Sequence, residues 1–343
     1  MTDGGARMAQ EMREAPEAVR RQELSLAVPV RELAGRLRRR APLIAVTCAR
    51  GTSAHAAAFG KHLFERHLGI PVAAAAPNIA SVYRQELHLK DQFFLAISQS
   101  GRSDDLVETA AAAKRAGALT AAILNDTESP LAAQCDLVLP MSAGPELSVA
   151  ATKTFVAALA ALLRLTQAWA GFSGLGAALE RLPERLAAAC DLDWGGALRA
   201  LAGAPSLVTI GRGPTLAIAR EAALKLKETC NLHAEAFSGA EFLHGPVALV
   251  SPRYPILMFM PADEAADGMQ RLAADLRGKG AALFTTGPPE AANGLLPVLA
   301  PDHPATDAVC LVQSFYAMAV RLADALGMDA GQPRHLHKVT RTR

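Results

Sequence analysis

The chain has 343 residues, too many for one ordinary core and enough for two. Apolar residues make up 51%, charged residues 20%, and the formal net charge is +2, so the composition is globular and the chain as a whole shows no nucleic-acid or membrane footprint. Five cysteines, at 48, 135, 190, 230 and 310, form no Cys-x-x-Cys pair, which argues against a disulfide scaffold or a zinc site and makes a reducing cytoplasm the expected compartment. The chain opens on acidic and polar residues, so no signal peptide is expected. The apolar stretch from Phe155 to Ala170 is interrupted by Arg164 and Gln167 short of a spanning length.

Residues 8–40 read as two short helical patterns broken near Pro29, with thin apolar faces that need a neighbour to pack on. Then strand and helix patterns alternate. Leu43 to Thr47 reads as a buried strand, Gly51-Thr52-Ser53 as a break, and Ala54 to Leu68 as a helix stopped by Gly69. Val72 to Ala76 and Phe93 to Ile97 are further strands, Ser98 to Ser103 a turn, and Asp104 to Ala116 a helix ending at Gly117. Leu119 to Leu124 and Leu137 to Leu139 complete the strands of this half, and Val149 to Ala168 is a long helix. The second half repeats the order. It has strands at 206–210, 256–260, 281–285 and 296–299, and helices from Leu216 to Thr229 and Asp267 to Arg277.

Such alternation predicts an α/β fold in two similar domains, each a mostly parallel sheet flanked by helices. Arg50-Gly51 and Arg212-Gly213 occupy matching places in the halves, as do Lys114 to Ala118 and Arg277 to Ala281, which implies an internal duplication with a linker around Gly171 to Asp193. The expected division is an N-terminal helical segment over 1–40, a first domain over 41–180, a second over 195–328 and a C-terminal tail over 329–343. After the third strand the first copy has Ser98-Gln99-Ser100-Gly101, where the second has Pro261-Ala262-Asp263. Phosphate chemistry is therefore expected in one copy only.

Ser98, Gln99, Ser100 and Ser103 follow a strand and open a helix, where hydroxyls and unpaired N–H groups meet the positive end of the helix dipole. The turn suits a dianionic phosphate, and it also reads as an ordinary serine N-cap. Thr52 and Ser53 add hydroxyls to the same sheet edge. No G-x-G-x-x-G follows the first strand and no P-loop is present. Lys225 and Glu228 share a helix face three residues apart, as a base and its neighbour or as a surface ion pair. The stretch from His233 to Pro246 is dense in polar residues, and His244 is suited to proton transfer near neutral pH. His233, Glu235 and His244 contain no i, i+4 pair, so no metal is expected. Lys338 lies in a terminal tail that is either silent or a lid over a pocket.

These segments together resemble the tandem sugar isomerase (SIS) domain proteins, above all the isomerase half of glucosamine-6-phosphate synthase and the deaminases built from it. The matching motifs are Gly51-Thr52-Ser53, Ser98 to Gly101, Val149 to Lys153, Leu224 to Glu228, His233 to Ala236, His244-Gly245-Pro246 and the tail ending at Lys338. The resemblance implies two five-stranded SIS domains. It implies that Ser98, Ser100 and Ser103 hold a sugar 6-phosphate, with Gln99, Thr52 and Ser53 beside them. It makes Glu228 the base between C1 and C2, Lys225 its neighbour, and His244 the ring-opening group supplied across a homodimer. Lys338 would sit at the sugar in a tail closed over the active site. Three departures stand out: Arg50 replaces a cysteine, Ala151 replaces a serine and leaves a backbone contact at Val149, and His337 replaces an alanine. No cofactor is implied. With no ammonia-releasing domain in the sequence, the expected reaction is deamination of glucosamine 6-phosphate to fructose 6-phosphate. The alternatives are a deglycase, a deaminase or isomerase for another phosphorylated amino sugar, and a non-catalytic sugar-phosphate sensor.

Overall fold

The structure is a computed structural model that describes residues 2–171, 174–287 and 294–338. In chain order the elements are α1 (Asp3–Arg13), α2 (Ala15–Arg40), β1 (Ala45–Cys48), α3 (Gly51–Leu68), β2 (Val72–Ala74), α4 (Asn78–Ser81), β3 (Phe93–Ser98), α5 (Asp104–Arg115), β4 (Leu119–Leu124), α6 (Pro130–Gln134), β5 (Leu137–Pro140) and α7 (Lys153–Ala170). They continue as α8 (Gly176–Ala189), α9 (Gly195–Ala202), β6 (Ser206–Gly211), α10 (Thr215–Cys230), β7 (His233–Ser238), α11 (Gly239–Phe242), β8 (Pro255–Met258), α12 (Ala266–Gly278), β9 (Ala282–Gly287), β10 (Leu295–Pro297) and α13 (Pro304–Ala325).

The strands form two five-stranded sheets, ordered β2-β1-β3-β4-β5 and β10-β9-β8-β6-β7, and every pairing is parallel. Reversed, the second order is the first with each strand replaced by its repeat counterpart, so the duplication extends to topology. β3 and β4 are buried at every residue and apolar except for Ser98 and Thr120, as a sheet covered on both faces requires.

Contacts divide the chain into two compact units. The N-terminal unit holds Glu17–Glu146, Lys153–Glu180 and the tail from His337, and the C-terminal unit holds Met1–Pro16, Leu147–Thr152 and Arg181–Leu336. In the N-terminal unit, Trp169 on α7 meets Phe64 and Phe93 edge-on, with ring centroids 5.4 and 5.7 Å away. In the C-terminal unit, α13 is long and apolar enough to cross a membrane, but 78% of its apolar window is buried, as in a core helix.

The elements differ from the sequence reading in several places; the long helix read from Val149 begins only at Lys153, and α4 and α6 fill intervals read without helices. α2 does not break at Pro29: Val19, Leu26, Val30, Leu33 and Leu37 form one buried stripe along its length, and that burial carries the helix through the proline. α3 begins at Gly51, so Thr52 and Ser53 lie in its first turn and not in a break before it. The interval read as a linker contains α8. His233–Ser238 is the edge strand β7, whose exposed His233 and Glu235 alternate with buried Ala234.

Candidate functional site

The N-terminal unit carries the serine turn at the carboxyl end of β3, next to β1, where the strand order reverses direction. Ser98 is buried and its Oγ accepts the Gly101 N–H at 3.0 Å. Ser100 Oγ accepts the Arg102 N–H at 3.4 Å, and Gln99 and Ser100 are half-buried. Gly101 has φ +62°, and a Cβ there would fall 2.1 Å from Ser129 Oγ, so only glycine fits. Ser103 is the N-cap of α5 but makes no side-chain cap hydrogen bond. That removes the ordinary N-cap reading for Ser103, whose hydroxyl is not spent on its own helix. The β4–α6 loop braces the turn: the Asp126 N–H donates to the Gln99 carbonyl, and Arg102 Nη2 pairs with Asp126 at 2.8 Å. Thr52 and Ser53, half-buried at the start of α3, stand at the adjacent strand end.

The C-terminal unit carries a buried charge cluster on α10. Glu221, Lys225 and Glu228 are spaced four and three apart and fall on one face. Lys225 Nζ lies 2.5 Å from Glu228 Oε2 and 3.2 Å from Glu221 Oε1. Lys225 and Glu221 are fully buried, so the surface ion-pair reading of Lys225 and Glu228 does not hold; Glu228 alone is partly exposed, at 20%. Tyr316 on α13 donates its hydroxyl to Glu221 Oε1 at 3.1 Å. Burial alone would lower the Lys225 ammonium, but Glu221 and Glu228 outweigh it and hold the group above the usual lysine value. The cluster thus keeps a cation behind Glu228. Glu228 lines a cavity of about 540 Å³ whose other walls include Asn231, Asp329, Gln332 and Arg334, so the tail closes over the end of α10.

Glu221 and Tyr316 went unread in the sequence. The i, i+4 spacing of Glu221 and Lys225 was a usable signal, whereas Tyr316 has none, because its contact is made in three dimensions. His244 is exposed just beyond α11, within a turn closed by its N–H on the Glu241 carbonyl. Among the described residues, no three His, Cys, Asp or Glu side chains form a metal-binding group.

Two carboxylates order the segments around Val149 and Lys338. In the C-terminal unit Glu11 accepts the Leu147 N–H at 2.5 Å and the Ser148 N–H at 3.1 Å. The Val149 N–H donates to the Gly331 carbonyl at 3.1 Å, and Ala151 is half-buried. In the N-terminal unit buried Glu146 accepts from the Thr154 N–H and hydroxyl, at 3.2 and 2.5 Å, and pairs with Lys338 at 3.6 Å. The Lys338 side chain is 27% exposed, and His337 before it is exposed.

The repeat's counterpart of the serine turn is apolar. Pro261 and Ala262 line a cavity of about 210 Å³ with Met260 and Leu299, beside the Arg185–Asp307 pair. Asp263 caps the Ala265 N–H. The serine turn is confined to the first copy.

Two duplicated parallel α/β units, one with a serine turn at a strand end and one with a buried lysine between carboxylates, define a tandem α/β architecture. The chain belongs to the SIS domain family, whose model matches residues 44–168 and 200–285. It is 34% identical over 307 residues to a glutamine–fructose-6-phosphate aminotransferase (isomerizing) of Symbiobacterium thermophilum, covering 84% of this chain and 50% of that one. The chain spans about half the length of the curated relatives it matches. A solved candidate phosphosugar isomerase from Silicibacter pomeroyi DSS-3 superposes with a TM-score of 0.90 at 44% identity, covering 94% of this chain and 99% of that one. The C-terminal domain of glucosamine-fructose-6-phosphate aminotransferase from Francisella tularensis superposes with a TM-score of 0.84 at 26% identity, covering 95% and 98%.

Proposed function

We propose that the chain is an isomerising deaminase of amino-sugar phosphates, converting glucosamine 6-phosphate and water to fructose 6-phosphate and ammonia. The observation that carries this reading is Glu228, a partly exposed carboxylate on a cavity wall with a buried ammonium fixed behind it. A base that must take a carbon-bound proton needs a positioned carboxylate, and the buried Lys225 ammonium at 2.5 Å fixes Glu228 in place. A protein that only sensed a sugar phosphate has no use for such a cluster.

The roles follow unit by unit. The turn from Ser98 to Ser103 takes the phosphate, with Gln99, Thr52 and Ser53 at its rim. His244 moves the proton that opens the sugar ring. Its exposure on its own chain fits a homodimer in which each chain lends this histidine to the other. Glu228 removes the C2 proton of the open-chain aldehyde, giving an enolamine, and returns a proton to C1. The product is the C2 imine of fructose 6-phosphate; water adds at C2 and ammonia leaves. The amine and adjacent carbonyl acidify the C–H bond, so the chain's own side chains suffice for the proton transfers. Lys338 and the Val149 backbone contact the sugar. Because the Val149 N–H is already used by Gly331, its carbonyl is the group it offers.

Purified protein should release ammonia and fructose 6-phosphate from glucosamine 6-phosphate, measured side by side with the galactose isomer and a fructosamine–amino-acid adduct phosphate. Turnover confined to one of the other two would reassign the substrate, and none with any would remove the catalytic reading.

A further inference from the structure

We infer that Arg50, anchored by buried Asp105, is the guanidinium that binds the substrate's phosphoryl group beside the serine turn. This rests on the phosphate reading of that turn and adds its cation.

Parallel pairing of β1 with β3 sets Cys48 opposite Ala96, and the same register carried two residues on brings Arg50 alongside Ser98. Arg50 is extended, at φ −131° and ψ 155°, as the N-cap of α3, so it leaves the sheet at its carboxyl edge. Its Nε and Nη2 reach one oxygen of Asp105, at 3.0 and 2.6 Å. Asp105 lies in the first turn of α5, the helix that the serine turn opens; it is 1% exposed, while the arginine is 51% exposed. The carboxylate is therefore a fixed anchor, and the guanidinium is held at the turn with half its surface open. A planar guanidinium has five N–H donors, so two spent on Asp105 leave capacity for phosphate oxygens.

Charge and an unpaired hydroxyl point the same way. Asp104 and Asp105 open α5, and the nearby Arg102 pairs with Asp126 on the bracing loop. A dianion arriving among these carboxylates needs a cation beyond the helix dipole. Beneath Gly101, Ser129 is 1% exposed, and its Oγ has no hydrogen-bond partner among the described residues. The pocket floor thus holds a polar atom that the protein itself leaves unsatisfied.

The test is binding of fructose 6-phosphate, inorganic phosphate and unphosphorylated fructose by calorimetry. Arg50→Met alone would strand a buried carboxylate, so the decisive variant is Arg50→Met with Asp105→Asn, alongside Arg50→Lys, which keeps a charge but cannot span both partners. The double variant should melt like wild type and bind fructose 6-phosphate and inorganic phosphate at least about tenfold more weakly, with fructose binding unchanged. Arg50→Lys should fall between the two. If the double variant does not fold, Arg50→Lys decides. Wild-type affinity for fructose 6-phosphate in whichever folded variant is read overturns the role of Arg50. A wild-type protein that binds fructose 6-phosphate no better than fructose overturns the phosphate reading itself.

Discussion

Glu228→Gln is expected to lower turnover of glucosamine 6-phosphate by about 10²–10⁴-fold, the usual contribution of a positioned acid–base group. KM should stay within about twofold of wild type, because the amide keeps the shape of the carboxylate and the phosphate is held by other residues. Steady-state kinetics on the purified variant read both numbers. The expectation follows from position: Glu228 alone of its cluster reaches the cavity, while Lys225 and Glu221 are enclosed behind it. A variant that loses binding in proportion to rate would make Glu228 a structural residue.

Lys225→Met is expected to cost about 3–5 kcal/mol of stability, read by chemical denaturation, because removing one member of a buried ionic cluster strands the others. Glu221 would be left fully buried beside Glu228 without its lysine, keeping the Tyr316 hydroxyl as a donor. Adding Glu221→Gln should recover much of the loss, since the second change removes the stranded charge. The pH dependence has a definite sign. The folded value of Lys225 is raised above 10.5, so its contribution is fully present below that pH and fades only as pH climbs through the higher folded value. Wild type should therefore keep its advantage over Lys225→Met across neutral and mildly alkaline pH.

Much of the architecture was legible in the sequence because it depends on local patterning. Short apolar runs, helical intervals and glycine stops located nine of the ten strands of the two sheets. β7 lacks the apolar run of the other strands because His233 and Glu235 are polar, although the alternation His-Ala-Glu-Ala-Phe carries the period of an edge strand. The continuity of α2 through Pro29 was not legible, since it depends on a stripe buried by tertiary packing.

The site divides in the same way. Spacing alone paired Lys225 with Glu228, but only burial distinguishes that pair from the surface pairs common on helices. Ser103 looked like any helix cap until its side chain proved to make no cap bond. Glu146 and Glu11 gave no signal of these contacts, because partners such as Lys338 and Ser148 are far away in sequence.

The central claim is that Glu228 carries a proton between adjacent carbons of a sugar phosphate that the Ser98–Ser103 turn holds. Its most direct test follows glucosamine 6-phosphate in deuterium oxide by proton and carbon NMR. Wild type is predicted to yield fructose 6-phosphate whose C1 carries the hydrogen brought from C2, deuterium exchanged onto the base from solvent, or both, with ammonia released in step and Glu228→Gln showing neither product. Ammonia release, or deuterium at C1, that persists undiminished in Glu228→Gln would contradict the account.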